Sequence, residues 1–354
     1  MIDIAFRHYT LPLNHPFTIA RGTIRFSETM VVQLHEAGCF GYGEAPAHGY
    51  YRVSIPAMAA GLGRLAPRLS EVSACDLPAA LAAAAETLGD DLFARAAVDA
   101  ALHDLWARRQ GLPLAAAWGI DLASGPESCF TIGLDTPAVM EAKLAEARGW
   151  PAYKIKVGGE ADIEALDRLR SLTDRPFRVD ANGGWSVRRT LDVAGRLADL
   201  GVEFIEQPLP PGDPGMVELR RKCPLPIFAD EDCRTEADIE RCGELFDGIV
   251  IKLVKCGGLS AGRRMIERAR AAGLAVMIGC MTESTVGISA AAQLVPLADH
   301  ADIDGAALLA ADIATGVCVR EGRRQVPDAA GLGIELIDGP LQPMAEGPTP
   351  EATK

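Results

Sequence analysis

Three acidic residues, Asp180, Glu206 and Asp230, stand 26 and 24 residues apart, each closing a short apolar run. Singly, an acid in such a place is a solvated loop residue or a helix cap. Together they close three successive runs and should converge on one point. Three converging carboxylates cannot all stay ionised side by side without a cation, and an all-oxygen donor set suits Mg2+, with water or substrate filling the remaining positions. Lysines flank this point. Lys154 and Lys156 lie two apart at the end of an earlier run, so both face the same way, and Lys252 closes a later one. Lysine is a poor base at its ordinary pKa, but desolvation, Lys154 and a bound cation should bring Lys156 and Lys252 down towards neutrality. Two opposed bases allow a proton to leave one face of a carbon and return on the other. The carbon that fits is the one next to a carboxylate, where the cation and Lys154 would stabilise the enediolate formed on proton loss. Lys255, beside Gly257 and Gly258, is a rival to Lys252 and is expected on the loop beyond the strand end.

Such groups need a frame that brings them to one end. From Cys129 onward the chain repeats a short apolar run, a polar or glycine-rich break and an amphipathic helix. The runs are Cys129 to Leu134, Ala152 to Val157, Phe177 to Asp180, Val202 to Glu206, Ile227 to Asp230, Gly248 to Leu253, Ala275 to Gly279 and Ala301 to Asp304. Their spacing of about 25 residues is that of parallel strands joined by crossover helices, and eight of them close a barrel whose reactive groups stand at the C-terminal strand ends. A doubly wound open sheet is the alternative, and no G-x-G-x-x-G follows the first strand to support it. The N-terminal part differs. Thr29 to His35 and Gly38 to Glu44 alternate as a small antiparallel sheet, and Phe93 to Arg109 carries Ala96, Ala97, Ala100, Ala101, Leu105 and Trp106 at helical spacing before Gly111 and Pro113 stop it. The expected units are an α+β domain over residues 1–122, a barrel over 123–324, and a tail over 325–354 that returns to the first domain.

Bulk properties narrow the function. The 354 residues are 49% hydrophobic and 23% charged, with no bilayer-spanning apolar run and no basic-then-apolar leader, so a soluble cytoplasmic protein is expected. A formal charge of -13 argues against nucleic acid. The nine cysteines contain no C-x-x-C pair and the six histidines are dispersed, which disfavours a zinc site.

Lys154-x-Lys156, Asp180-Ala181-Asn182, Glu206-Gln207-Pro208, Ala229-Asp230-Glu231 and Ile251-Lys252 followed by Cys256-Gly257-Gly258 resemble the muconate-lactonizing subgroup of the enolase superfamily. The ordered set spans nearly the whole chain. The resemblance implies an α/β fold, a modified (β/α)7β TIM-type barrel with an α+β capping domain closing over it, Mg2+ on the three acids, and a homo-oligomer. Within the subgroup the chain is most similar to the L-Ala-D/L-Glu epimerases, which invert the glutamate centre of a dipeptide from cell-wall peptide. Pro16 to Gly22 matches that family's first flexible loop, which implies that Arg21 meets the glutamate side chain. Asp302-Ile303-Asp304 matches a D-x-D element whose acids meet the dipeptide's ammonium group. A bidentate guanidinium suits a carboxylate, and an acid pair suits an ammonium. Tyr51 and Met281 are expected beside the substrate as well.

Departures exist. The second capping loop reads Ala45-Pro46-Ala47-His48-Gly49-Tyr50-Tyr51-Arg52, whose tyrosines and arginine could reshape the pocket, and Asp232 stands where serine is more usual. o-Succinylbenzoate synthase, N-succinylamino acid racemase and muconate cycloisomerase share the metal and the lysines, but their substrates lack the free ammonium that the acid pair would receive. A metal-binding scaffold without activity is the non-enzymatic alternative.

Overall fold

In the computed structural model, which describes residues 1–159 and 161–342, a three-stranded antiparallel sheet and four helices precede an eight-stranded parallel sheet. The first sheet comprises β1 (Asp3–Ile19), β2 (Gly22–Glu36) and β3 (Cys39–Pro46), in that order. α1 (Ile55–Leu69), α2 (Leu77–Leu88), α3 (Leu92–Arg109) and the short α4 (Leu114–Ala117) follow. Asp91 caps α3 by accepting from the amide of Ala94 at 3.0 Å, and the chain leaves the helix through Gly111 at φ 68°. The alanines at helical spacing are buried against the sheet. Close approach is possible because β3 offers Gly41 and Gly43 there. A Cβ at Gly43 would collide with the carbonyl of Ala97.

The barrel strands are β4 (Phe130–Ile132), β5 (Tyr153–Lys156), β6 (Phe177–Asp180), β7 (Val202–Glu206), β8 (Ile227–Ala229), β9 (Gly248–Lys252), β10 (Ala275–Gly279) and β11 (His300–Asp302). All neighbouring pairs are parallel, and the amide of Cys129 donates to the carbonyl of Ala301 at 3.1 Å, joining the first strand to the last. The strands are short and nearly all buried on both faces, as a closed sheet wrapped in helices requires. The crossovers are α5 (Pro137–Glu146), α6 (Asp162–Arg170), α7 (Val187–Asp199), α8 (Met216–Lys222), α9 (Ile239–Leu245), the pair α10 (Leu253–Cys256) and α11 (Leu259–Ala271), and α12 (Thr285–Ala292). After β11 comes a 3-10 turn, Gly305–Leu308, instead of an eighth helix. This is the (β/α)7β pattern. Phe204, Phe228, Val250 and Met277 fill the barrel as a compact apolar cluster, with the two phenyl rings stacked at 4.1 Å. The other end is left to polar groups.

Beyond the barrel, β12 (Ala314–Thr315) pairs with β15 (Glu335–Leu336), and β13 (Cys318–Arg320) with β14 (Arg323–Gln325). The chain then runs against the first sheet. The carboxamide of Gln33 donates to the carbonyl of Leu341 at 3.0 Å and accepts from its amide at 2.6 Å, while Asp104 on α3 accepts from the amide of Leu332.

One segment differs from its sequence reading. Pro16 to Gly22, expected as a flexible loop, is the tip of a β-hairpin in which Phe17, Thr18 and Ile19 pair with Ile24, Thr23 and Gly22. Pro12 and Pro16 interrupt the alternation, and the register shifts between Pro12 and Phe17, so the period of two is lost in the sequence although the strand continues.

Candidate active site

Asp180 ends β6, Glu206 ends β7, and Asp230 directly follows β8. One oxygen from each lies within 4.8 Å of the others, and all three residues are buried. The backbone turns sharply behind two of these acids. Asn182 and Gln207 adopt left-handed conformations at φ 44° and 39°, at a cost of order 1–3 kcal/mol each, which the surrounding hydrogen bonds must offset. The Gln207 side chain accepts from the amides of Asp230 and Asp232 at 3.0 and 3.1 Å and donates to Asp232 at 2.7 Å, so it fixes the Asp230 loop. Asp232 is held in turn by Arg241 at 2.8 Å.

The donor set fits a divalent cation. Oε2 of Glu206 is buried and has no partner among the described residues, although the same carboxylate gives Oε1 to Lys154 at 2.8 Å. Burial, then the neighbouring Asp180, holds the Glu206 carboxyl well above its usual range. Burial would also raise Asp180 and Asp230, but Lys156 and Lys154 pull the first below the usual range, and Lys252 and Lys255 the second. An oxygen-only triad that includes a buried, unmatched carboxylate oxygen is a site suited to Mg2+.

Lysines meet the triad from two ends. Nζ of Lys156 lies 2.5 Å from Asp180 and Nζ of Lys252 lies 2.9 Å from Asp230. Lys154 reaches between them to Asp180, Glu206 and Asp302 at 3.1, 2.8 and 2.8 Å. The sequence reading expects the two bases, Lys156 and Lys252, to be brought down by desolvation, Lys154 and a cation. Desolvation does act downward on Lys154, but Asp302, Glu206 and Asp180 outweigh it, and Asp230 does the same for Lys252, so both are held above the ordinary range. A divalent charge on the same carboxylates would offset that pull. Lys255 stands apart: it is fully buried, does not line the cavity, and donates to Asp230 Oδ1 and to the carbonyls of Asp230, Cys233 and Val250. It holds Asp230 from behind.

A cavity of about 1010 Å³ opens over the lysines, lined by both the barrel and the first sheet. Arg21, at the hairpin tip, donates to the carbonyl of Asn182 at 2.7 Å, pairs with Glu231 at 2.6 Å and stacks on Tyr50 at 4.3 Å. Tyr51 lines the same wall, as does Met281, whose amide donates to Glu283 at 2.8 Å. Arg52 is exposed and absent from the lining, so the second capping loop contributes its tyrosines and His48 but not its arginine. Asp302 and Asp304 both face the cavity. Thr131 steadies them: its hydroxyl reaches Asp302 and Asp304 at 3.2 and 3.3 Å, and its amide donates to Asp304 at 2.6 Å. Burial and the nearby Asp302 push Asp304 up to about 7.

Sequence reasoning missed Thr131, because a lone threonine in the middle of a short strand gives no signal. It also missed the use of Glu231 as the partner of Arg21. The acidic doublet Asp230-Glu231 was a usable signal, because two adjacent carboxylates after one strand point to different neighbours.

Residues 1–119 match the model of the mandelate racemase / muconate lactonizing enzyme N-terminal domain, and residues 138–339 match that of the enolase C-terminal domain-like family. An L-Ala-D/L-amino acid epimerase of Flavobacterium johnsoniae is 42% identical over 95% of this chain and 100% of its own length. An L-Ala-D/L-Glu epimerase of Bacteroides thetaiotaomicron is 37% identical over 95% of this chain and 88% of its own. Among solved structures, a substrate-liganded complex of the L-Ala-D/L-Glu epimerase from Bacillus subtilis superposes with a TM-score of 0.88 at 29% identity, covering 96% of this chain and 99% of the other. In the described residues no helix is long and apolar enough to cross a membrane.

Proposed function

Because the chain belongs to the enolase superfamily, among the mandelate racemase and muconate lactonizing enzymes, we propose that it epimerises dipeptides at the α-carbon of the C-terminal residue, interconverting L-Ala-D-Glu and L-Ala-L-Glu. A fold alone would not license an activity. The observation that carries the reading is the buried carboxylate triad with Lys156 and Lys252 approaching it from opposite ends.

Asp180, Glu206 and Asp230 would hold Mg2+, which when bound would supply positive charge to stabilise the enediolate. One lysine, neutral at Nζ, takes that proton as the C–H bond breaks, and the electron pair stays with the α-carbon and its carboxylate. The lysine opposite, protonated at Nζ, returns a proton to the other face. Lys154 adds fixed positive charge beside them. Asp302 and Asp304 receive the dipeptide's ammonium group. Arg21 spends two N–H groups on Asn182 and Glu231 and offers the remaining edge to an acidic second side chain. Tyr51 and Met281 bound the space that side chain occupies.

The test is incubation of L-Ala-D-Glu in deuterated water with Mg2+, read by NMR. Appearance of deuterated L-Ala-L-Glu, lost on chelation and regained with added Mg2+, is expected. Full turnover after exhaustive chelation would sink the metal assignment.

A further inference from the structure

Gln207 joins the three segments that carry the acids. Its backbone follows Glu206, its carbonyl accepts from the amide of Gly183 in the turn after Asp180 at 2.7 Å, and its side-chain oxygen accepts from the amides of Asp230 and Asp232. A carboxamide has a donor end and an acceptor end of nearly the same shape, so its partners alone decide which way round it sits. Here the oxygen meets only N–H groups. The nitrogen meets only acceptors, the carbonyl of Leu209 at 2.9 Å and Oδ2 of Asp232 at 2.7 Å. Turned over, the carboxamide would set N–H against N–H at both Asp230 and Asp232.

Asp232 stands where serine is more usual. A hydroxyl offers one oxygen that donates as readily as it accepts, whereas a carboxylate only accepts, and does so at two oxygens. Oδ2 takes Gln207, while Oδ1 takes the amide of Gly212 at 3.0 Å and Nη1 of Arg241 at 2.8 Å. One side chain therefore ties the segment after β7 to the segment after β8, and both to α9. A buried carboxylate is costly without a partner, and Arg241 supplies one, placing a second N–H on the carbonyl of Asp232 at 2.9 Å. Arg241 itself does not line the cavity.

We propose that Asp232, with Arg241 as its counter-charge, is a positioning residue for the metal: by holding Gln207 in one orientation it fixes the spacing of Asp180, Glu206 and Asp230 and so sets their affinity for Mg2+. The proposal rests on the assignment of Mg2+ to that triad. Acids already held in place lose little freedom when the cation arrives, and groups that orient metal ligands from behind govern affinity for that reason.

The experiment is calorimetric titration of the metal-free full chain with Mg2+, without dipeptide, alongside melting in chelator. Asp232→Asn keeps the shape but turns one acceptor into a donor, so with Gln207 on one side and Gly212 and Arg241 on the other, two donors must face each other. Arg241→Gln removes the counter-charge from a side chain that is 43% exposed, at less risk to the fold. Arg220→Gln is the matched control. Arg220 is 42% exposed on the neighbouring α8 and pairs at 2.6 Å with Asp247, which accepts from the amide of Ile227 at the far end of β8. The Mg2+ dissociation constant should rise roughly ten- to a hundredfold in Asp232→Asn and about tenfold in Arg241→Gln, and stay at the wild-type value in Arg220→Gln even where its melting temperature in chelator falls as far as that of Arg241→Gln. Unchanged affinity in Arg241→Gln overturns the proposal, whether or not Asp232→Asn folds. So does an equal weakening in Arg220→Gln, which would reduce the effect to general stability. A wild type that binds no Mg2+ would overturn the metal assignment itself, a distinct result.

Discussion

At the scale of single residues, the chemistry was legible wherever charge type and spacing acted together. Asp180, Glu206 and Asp230 converge as their strand-end positions require, and Lys154, Lys156 and Lys252 surround them. Replacing Lys252 by Ala should stop epimerisation yet leave Lys156 able to exchange the α-proton of one epimer. Lys156→Ala should exchange only the other. Mass spectrometry of each epimer in deuterated water reads this directly, and exchange of both epimers by either variant would refute the two-base assignment. Less legible were residues acting through others. Lys255 looks like a rival base in the sequence, and only burial and four acceptors show it bracing Asp230. Lys255→Met removes one of the two lysines paired with the buried Asp230 and strips three buried carbonyls of their donor, which should cost about 3–5 kcal/mol of stability. Because Mg2+ would supply the missing positive charge, the gain in melting temperature on adding Mg2+ should be larger in this variant than in the wild type. An equal gain in both would mean that Lys255 does not act on Asp230.

Among the elements, the eight apolar runs read from the sequence coincide with the barrel strands to within a residue or two at most ends. Strands buried on both faces leave uninterrupted apolar runs between turn residues, a signal that does not depend on distant contacts. The β1–β2 hairpin lacked such a signal. Its prolines and exposed tip hide a strand that exists because β2 pairs with it, a tertiary cause. Its tip carries Arg21 over the cavity on a paired ribbon. Arg21→Met should lower kcat/KM for L-Ala-L-Glu by roughly ten- to a hundredfold, the scale of a lost hydrogen bond to a charged group. L-Ala-L-Leu should suffer much less. Equal losses for the two substrates would reduce Arg21 to a tether between the hairpin and the barrel.

Across the whole molecule, the first sheet and the barrel meet through buried carboxylates. Glu44 on β3 accepts from the amides of Ser284 and Gly287 at 3.0 and 2.9 Å, at the N-terminus of α12, and Glu283 lies beside it. Burial, reinforced by Glu44, pushes Glu283 up from an ordinary 4.5 to about 8. Between those two values the folded protein binds a proton that the unfolded chain has released, so this group's contribution to stability falls as pH rises through the window. Glu283→Gln should flatten the decline of melting temperature across that range and melt above the wild type on the alkaline side of it. An unchanged profile would place the titration elsewhere. A further long-range tie is the exchange between Gln33 and Leu341, 308 residues apart in the chain. On the ribosome, the buried carboxamide on β2 must wait for the 308 residues up to Leu341 to be translated. A nascent chain released short of Leu341 would carry a finished barrel beside a first sheet still missing that partner, so C-terminal truncation should be recognised by proteases at the N-terminal end.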